Sequence, residues 1–570
     1  MKKMKVRDYV SQGSFRPGEY RVSAQGHNSS LAMNVTLSEE RIEAIEIASN
    51  KETKAISSPV FEQVPKAIIE GQTLNVDTVS GATISSEGII QGVADAIELA
   101  GGDSEEIKKR PHYSLKSNHQ RMTNCDVVIV GSGGAGMSAA IELHSAGYSP
   151  LIVEQMEYIG GNTNRAGGGM NAAYTKYQKA LGIEDSTDLF YEETLKGGHN
   201  KNDPALVRSI VDHSAEAVDW MNNFGAGLTD ITGSGGFSKP RLHRPNTGEK
   251  VGPLIVETLS KQLKSLNIPI QTGTQAKRLL FNDQQKIAGV EVEDNEGTYT
   301  IQAKAIIIAA GGFSANPQMV EQYDETKKDF NTTNQIGANG SGIQMAINAG
   351  ADTTDMNYIQ IHPTTDPETG ALFSESLRGD GAILINRFGN RFTNELLTRD
   401  VVSQKELEQD KQIVYLLYTQ ELVDKNKQAR SYVEKGYAVS GNTPTELGEK
   451  LKLEKNHLEQ TLKNYSEYQQ NGVDEDFSRD DMKLSFNKGP YYALPVFPAI
   501  HHTMGGLKVD PSMHVYDKEN NIMKGLYAAG EATGGVHGAN RIGGNAVLDI
   551  IVNGRIAGQS SAKYLKGKDL

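Results

Sequence analysis

The stretch Cys125-Asp126-Val127-Val128-Ile129-Val130-Gly131-Ser132-Gly133-Gly134-Ala135-Gly136 decides the fold. A continuous β-branched run marks a strand buried on both faces, and glycines at G-x-G-x-x-G spacing follow at once. Met137 to Ala146 then reads as a helix and Pro150-Leu151-Ile152-Val153-Glu154 as a second buried strand. This is the strand, turn, helix and strand of a doubly wound sheet that binds a dinucleotide. Gly131 allows the tight turn, Gly133 lets the backbone approach a pyrophosphate, and Gly136 lets helix and strand pack closely. Gly134 and Ala135 open a helix whose free N–H groups and positive dipole end face the phosphates. Glu154 ends the second strand, where an acid accepts ribose hydroxyls.

Upstream, Tyr20–Gln25, Leu31–Leu37 and Ile42–Ile47 read as short strands, the first two joined by the turn-forming Gly26-His27-Asn28. Ser85-Ser86-Glu87 opens a helix with Ile89, Ile90, Val93, Ala94 and Ile97 on one side. Gly101 to Asn118 is polar and aperiodic and reads as a linker. Downstream, Ala303–Ala310 and Gly525–Gly530 are buried-strand runs, residues 401–465 read as helical, including Thr445–Tyr468, and Asn545–Tyr564 reads as a closing helix.

The 570 residues leave room for several domains at roughly 150 each. Lys and Arg number 58 against 71 Asp and Glu, a net charge of −13 that speaks against nucleic acid as the main partner. The single cysteine excludes an internal disulfide, Cys-rich metal or iron–sulfur sites and c-type haem attachment. No apolar run approaches the roughly 18 residues of a membrane span, so no integral membrane segment is expected. The basic start lacks an apolar h-region, which makes the cytoplasm the expected compartment, with export after loss of a signal peptide the alternative.

Gly160-Gly161-Asn162-Thr163 and Gly167-Gly168-Gly169-Met170-Asn171 follow the acid, and far downstream come Gly530-Glu531 and Gly543-Gly544-Asn545-Ala546-Val547. Two distant glycine-rich sets suit an extended FAD gripped at both ends. With these motifs the chain, from Asn124 to Lys563, resembles the flavoprotein subunit of the fumarate reductase and succinate dehydrogenase family. The single-chain fumarate reductases of the flavocytochrome c type are the nearest likeness. The resemblance implies non-covalent FAD held by Gly131, Gly133, Gly134, Ala135, Gly136, Glu154, Asn162, Thr163, Gly168, Gly169, Gly530, Glu531, Gly544, Asn545, Ala546 and Val547.

Four further clusters match that family's reaction site: Gln360-Ile361-His362-Pro363-Thr364, Ser374-Glu375-Ser376-Leu377-Arg378, Thr398-Arg399-Asp400 and His501-His502-Thr503-Met504-Gly505-Gly506, with Arg541 beyond them. Singly, each has an ordinary reading: a turn histidine, or a helical Glu375–Arg378 pair. Neighbouring His501 and His502 point apart on an extended chain, so no metal site is expected. Together they suit reduction of an activated C=C bond, most of all fumarate to succinate. Arg541 grips one carboxylate through its planar fork, His502 assisting, while His362 and the Ser374 hydroxyl hold the other. The family usually has Thr where Ser374 stands. By resemblance Arg399 protonates the carbanion and Glu375 and Arg378 refill it. A hairpin of Gly381–Asn386 and Arg391–Glu395 about Phe388-Gly389-Asn390 is expected to bring Arg399 back to that pair.

Asp77-Thr78-Val79-Ser80-Gly81-Ala82-Thr83 resembles the D-x-x-[ST]-G-A-T signature of FMN-binding domains, in which a flavin transferase joins FMN to the Thr83 hydroxyl. The simpler reading makes Ser80 and Thr83 helix caps. FMN fills the place of a one-electron carrier, and the electron donor upstream is a separate partner.

The expected architecture is thus α/β in class (α+β, multidomain). An FMN-binding domain and linker occupy 1–118, and a Rossmann-like FAD-binding domain 119–356 and 502–570 is interrupted by a clamp, or capping, domain 357–501. Alternatives within the family are other 2-enoates. Urocanate reductases carry Tyr and Asp where this chain has Ile361 and Ser376, whereas Phe237 leaves an aryl substrate open. A 3-ketosteroid dehydrogenase has no use for this arginine and histidine set. A flavin-carrying electron-transfer protein without catalysis is the reading from a different class.

Overall fold

The computed structural model describes residues 15–567 apart from 28, 51, 53, 80, 81, 115–120, 234, 455 and 456. Near the N-terminus, strands Gly18–Gln25, Ser30–Leu37 and Ile42–Ser49 form an antiparallel sheet in that order. Helix Thr83–Leu99 packs on it through Ile89, Val93 and Ile97, all fully buried against Leu31, Met33 and Val35. A helix absent from the sequence reading, Lys54–Gly71, covers the unit despite Pro59 and Pro65 in its interior. The prolines erase the local signal, while burial of Val60, Val64 and Ile68 supplies the stability that propensity does not.

The expected linker is corrected for its first half. Asp103 caps a short helix, Ser104–Lys108, by accepting from the Glu105 and Glu106 N–H groups, and Ile107 enters the core. Tyr113 then pairs with Val76. One apolar residue docks the segment but leaves no periodicity to read. Residues 115–118 of that linker, and Asn28 of the first turn, lie outside the described residues.

The centre is a six-stranded sheet in the order His514–Tyr516, Ile522–Ala528, Ala305–Ile308, Val127–Val130, Pro150–Val153, Ile270–Gln271. All but the first strand run parallel. Val127–Val130, Pro150–Val153 and Ala305–Ile308 are buried at every residue, as strands covered on both faces must be. The chain departs from Val127–Val130 towards one side and returns on the other at Ala305–Ile308. Their carboxyl ends frame a topological switch point, where open α/β sheets bind ligands. The closing helix, Asn545–Leu565, packs on the helix Gly134–Ser145 that follows the first strand.

Between Ala305–Ile308 and Ile522–Ala528 the chain builds a second, antiparallel sheet in the order Ile359–Thr365, Tyr491–Thr503, Val414–Thr419, Ile383–Asn386. It carries its own hydrophobic core, including Phe373, Leu384, Leu416, Leu462 and Leu494. Val414–Thr419 corrects the all-helical reading of 401–465: a short apolar run among helices is buried in mid-sheet. Thr445–Tyr468 is likewise two helices, Pro444–Lys450 capped by Thr443 and Leu458–Asn471, parted at Lys452 with φ 55°. The hairpin expected about Phe388-Gly389-Asn390 reduces to a turn and one bridge, Ile385 to Arg391. Ile383–Asn386 pairs instead with Val414–Thr419, and Glu395 is drawn into an ion network.

Candidate active site

The switch point opens into a cleft of about 750 Å³ lined by Gly131, Gly133, Gly134, Ala135, Glu154, Asn162, Thr163, Gly530 and Glu531. Gly131 has φ 107°, and a side chain on it would strike the Ala309 carbonyl at 2.4 Å. Gly136 does not line the cleft; a Cβ there would lie 2.0 Å from the Gly131 carbonyl, so its role is close packing. Helix Gly134–Ser145 has no side-chain cap, and Thr163 Oγ1 accepts from the Gly134 N–H at 3.0 Å. Glu154 accepts from Ser132 N and Oγ on one oxygen and Met156 N on the other, and burial raises its pKa in spite of these bonds. A Cβ on Gly311 would meet nothing within 4 Å and one on Gly133 only Thr163 Oγ1 at 3.7 Å, and the helix end offers N–H groups to a pyrophosphate, so the residues fit FAD.

Gly168, Gly169, Gly544, Asn545, Ala546 and Val547 lie outside that cleft, where the two distant glycine-rich stretches meet. Asn171 Nδ2 donates to the Gly543 carbonyl and to Asn545 Oδ1, both at 2.8 Å. Gly543 also marks the junction with a second chamber, since a Cβ on it would stand 3.4 Å from Arg399 Nη2.

That chamber gathers Arg399, Arg541, His362, His501 and His502. Gln360 and His502 are register partners across the adjoining strands Ile359–Thr365 and Tyr491–Thr503, and the register slips at the next step, Gln360 to Ile361. Such a bulge re-aims side chains. The His501 ring lies 5.2 Å from that of His362, and the His502 ring 5.3 Å from that of His537. His362 Nδ1 accepts from the Thr364 N–H at 3.3 Å, which leaves Nε2–H as its donor. Burial, and then the arginine charges, hold His362, His501 and His502 well below the usual histidine range, so all three are neutral at pH 7. His502 Nδ1 stands 3.6 Å from Glu531 Oε1 and its Nε2 is buried without a partner.

Arg541 is buried and its Nε is unpartnered; its Nη2 donates to Gln360 Oε1 at 2.9 Å. Burial and the neighbouring Arg399 push its pKa down to about 9, leaving it a cation at pH 7. Among the described residues no carboxylate comes within ion-pair distance of it. Arg399 opens the helix Arg399–Leu407 and grips Glu375 with both ends of its fork, Nε to Oε1 at 2.9 Å and Nη2 to Oε2 at 2.7 Å. Arg378 Nη2 donates to the same Oε1 at 3.0 Å. Burial pushes the Glu375 carboxyl up, but Arg399, its hydrogen bonds and Arg378 outweigh this and hold it well below the carboxylate range. The structure thus brings Arg399, Glu375 and Arg378 into one chain. Ser374 stands at its edge, its hydroxyl 2.9 Å from that of Ser376 and its N–H donating to the Tyr432 hydroxyl.

Gln360 is the residue that the sequence reading quoted without a role. Its Oε1 accepts from both Arg541 and Arg399, and its Nε2 donates to Asn540 Oδ1 and the Arg541 carbonyl. The signal available was its position two residues before His362, on the same face of a strand.

In the N-terminal unit Thr83 is the exposed first residue of its helix; Ala82 occupies the N-cap and no side chain caps it. Thr83 therefore is not a cap, and its hydroxyl has no partner among the described residues. Ser80 and Gly81 of the signature lie outside those residues. An exposed, unengaged hydroxyl at a helix start fits attachment of a flavin phosphate.

Comparison with known proteins shows the family of the chain. The FAD binding domain family matches residues 126–547 and the FMN-binding domain family residues 26–98. The NADH:fumarate oxidoreductase of Klebsiella pneumoniae (strain 342) is 40% identical over 567 residues, which are 99% of this chain and 60% of that protein. The chain thus spans about three-fifths of that relative. The fumarate reductase (cytochrome) of Shewanella frigidimarina is 43% identical over 442 residues, 77% of each chain. A solved open conformation of a flavocytochrome c3 fumarate reductase superposes with a TM-score of 0.70 at 39% identity, covering 77% of this chain and 78% of that one. Among the described residues no helix is long and apolar enough to cross a membrane. With a switch-point cleft that fits FAD, an arginine–histidine chamber beside it and an FMN-binding domain in front, the chain belongs to the fumarate reductase flavoprotein family of FAD-dependent oxidoreductases.

Proposed function

We propose that the chain reduces the C=C bond of a 2-enoate, fumarate above all, to the saturated acid. The observation that carries this reading is Arg541: a buried cation with an unpaired Nε and no carboxylate of its own, converging with Arg399 on one chamber. Two guanidiniums held without enough anions call for an anionic ligand. Arg541 takes one carboxylate, with His502 Nε2 beside it. His362 Nε2–H and Ser374 take the other, once the Ser374 hydroxyl turns from Ser376. FAD, when bound, supplies the hydride.

The neutral histidines donate hydrogen bonds without adding charge, and the arginines stabilise the negative charge that grows on the substrate. Arg399 delivers a proton to the carbanion from a guanidinium that Glu375 orients on two sides. Glu375, a carboxylate, then takes a proton from Arg378 and passes it to Arg399. Gln360, bonded to both Arg399 and Arg541, fixes the distance between carboxylate grip and proton donor. Residues 357–501 act as a clamp that excludes water over the chamber. Thr83 would hold FMN, attached by a flavin transferase, and that group would supply one-electron chemistry between a separate donor and the FAD site.

The test is anaerobic oxidation of a reduced viologen dye by fumarate, urocanate, cinnamate and acrylate in parallel, which bypasses the donor. Preference for fumarate is expected. Preference for a monocarboxylate or urocanate overturns the roles of His362 and Ser374 and leaves the proton path in place; no turnover with any of the four overturns the reading.

A further inference from the structure

Ser374 offers a hydroxyl at the edge of the chamber, and a hydroxyl helps to hold an anion only when its one proton points there. The residues behind it decide where that proton goes. Helix Lys427–Glu434 of the inserted region meets Ser374 at two points. From within the helix, the Tyr432 hydroxyl accepts from the Ser374 N–H at 2.9 Å and donates to the Leu372 carbonyl at 3.4 Å, which fixes the backbone. From its N-cap, Asn426 reaches the Ser374 hydroxyl through Ser376. Asn426 Nδ2 lies 3.2 Å from Ser376 Oγ, and Ser376 Oγ lies 2.9 Å from Ser374 Oγ.

The direction of this chain is set at Asn426. Its Oδ1 caps the helix by accepting from the Gln428 and Ala429 N–H groups at 2.8 and 3.1 Å. The amide therefore has one orientation, with Nδ2 turned to the Asp380 carboxylate at 2.7 Å and to Ser376. An amide nitrogen only donates, so Ser376 Oγ is the acceptor in that bond. The Ser376 proton is then available to Ser374 Oγ, which also accepts from the Ser376 N–H at 3.3 Å. Two donors fill both lone pairs of Ser374 Oγ and leave its own proton for a ligand. Each donation polarises the next hydroxyl, which makes Ser374 the stronger donor.

We propose that Asn426 is a positioning residue for the second carboxylate of the substrate. It acts through a chain in which Asn426 Nδ2–H donates to Ser376, Ser376 O–H to Ser374, and Ser374 O–H to the carboxylate. The inference rests on the reading that Ser374 takes that carboxylate. In the empty chamber either serine can donate to the other; once the Ser374 proton turns to the ligand, Ser376 supplies the bond that Ser374 has given up. Every proton stays on its own heavy atom throughout. Ser376 is exposed, so water competes and the contribution is that of a single modest hydrogen bond.

Exchanging two side chains, Asn426→Asp together with Asp380→Asn, tests the direction alone. Net charge is unchanged and aspartate caps a helix as well as asparagine, but position 426 then accepts from Ser376 instead of donating to it. In the dye assay with the full, flavin-loaded chain, this pair and Ser376→Ala should each raise KM for fumarate by roughly three- to tenfold with kcat unchanged. The constant for acrylate, measured as substrate or as competing ligand, should not move, because acrylate has no second carboxylate. Thermal midpoints should stay at the wild-type value, and Ser376→Thr, which keeps the hydroxyl, should keep the wild-type KM. An unmoved fumarate KM, equal shifts for fumarate and acrylate, or a Thr variant as weak as the Ala variant overturns the proposal while the enoate reading stands. A wild-type chain that prefers acrylate to fumarate overturns the two-carboxylate reading and the proposal with it.

Discussion

Two networks of arginine and carboxylate lie side by side in the inserted region, built from the same residue types and put together differently. In the first, Arg391 and Arg479 meet Glu395 and Asp474, and every nitrogen of both guanidiniums is engaged. Arg391 bonds Glu395 and Asp474 at 3.0 to 3.1 Å. Arg479 bonds Glu395 and three backbone carbonyls, those of Ala382, Arg378 and Asp481. In the second, Arg399 and Arg378 share the one carboxylate of Glu375, and Arg378 Nε, Arg541 Nε and His502 Nε2 stay unpartnered. A saturated network holds a shape; an unsaturated one has capacity left for a ligand or a proton. The two are joined at Arg378, whose carbonyl accepts from Arg479 and whose Nη1 donates to the Glu395 carbonyl. The first network therefore aims the second.

The largest effect expected from this contrast is on turnover. Arg399→Ala should lower fumarate-dependent dye oxidation by roughly 10³ to 10⁴, the span of a lost proton donor that also carries charge. Its thermal midpoint and bound flavin should stay near those of the wild type, because Glu375 keeps Arg378 as a partner. Loss of activity by less than tenfold, or a collapse of the fold, would erase the distinction between the networks.

Arg391→Ala should do the reverse. It leaves Glu395 and Asp474 buried with one cation fewer, and breaking a buried pair costs about 3 to 5 kcal/mol. Urea denaturation should show that loss as a shifted midpoint, while kcat per folded molecule stays within a few-fold of wild type. An unmoved midpoint would show that saturation carries no stability here.

The same contrast explains what the sequence made legible. Val127–Val130, the glycine turn and Pro150–Val153 are contiguous, so one local pattern specified the cleft and the helix that faces it. The clusters around His362, Glu375, Arg399, His501 and Arg541 were legible through the family they resemble, and the chain brings all five to one chamber. Hidden from local reading were features whose cause lies far along the chain. Gln360 takes its meaning from Asn540, Arg541 and Arg399. Helix Lys54–Gly71 persists against two prolines because tertiary burial holds it. Val414–Thr419 becomes a strand because Tyr491–Thr503 and Ile383–Asn386 flank it. The first half of the supposed linker docks through a single isoleucine.

The smallest effect is on the pH dependence of stability, and it separates the networks by sign. His362, His501 and His502 are held below their usual range by burial, so from about pH 6.5 downward the unfolded chain takes up protons that the folded chamber refuses. Each therefore removes stability as pH falls, by at most about 1.4 kcal/mol per pH unit. Glu154, Glu406 and Glu531 are held high by burial, take up protons in the folded state first, and act in the opposite direction. Glu375 and Asp474, both held low, stay ionised through this window and contribute nothing to its slope. The measurable quantity is thus a difference between variants rather than the slope of one protein. His501→Gln keeps a polar group near Thr333 Oγ1, the present partner of His501 Nδ1 at 2.7 Å, and removes one depressed titration. Between pH 6.5 and 5 the ligand-free variant should lose less thermal midpoint than the wild type. Equal losses would mean that His501 protonates in place, and that the chamber carries more positive charge than two arginines before any anion arrives.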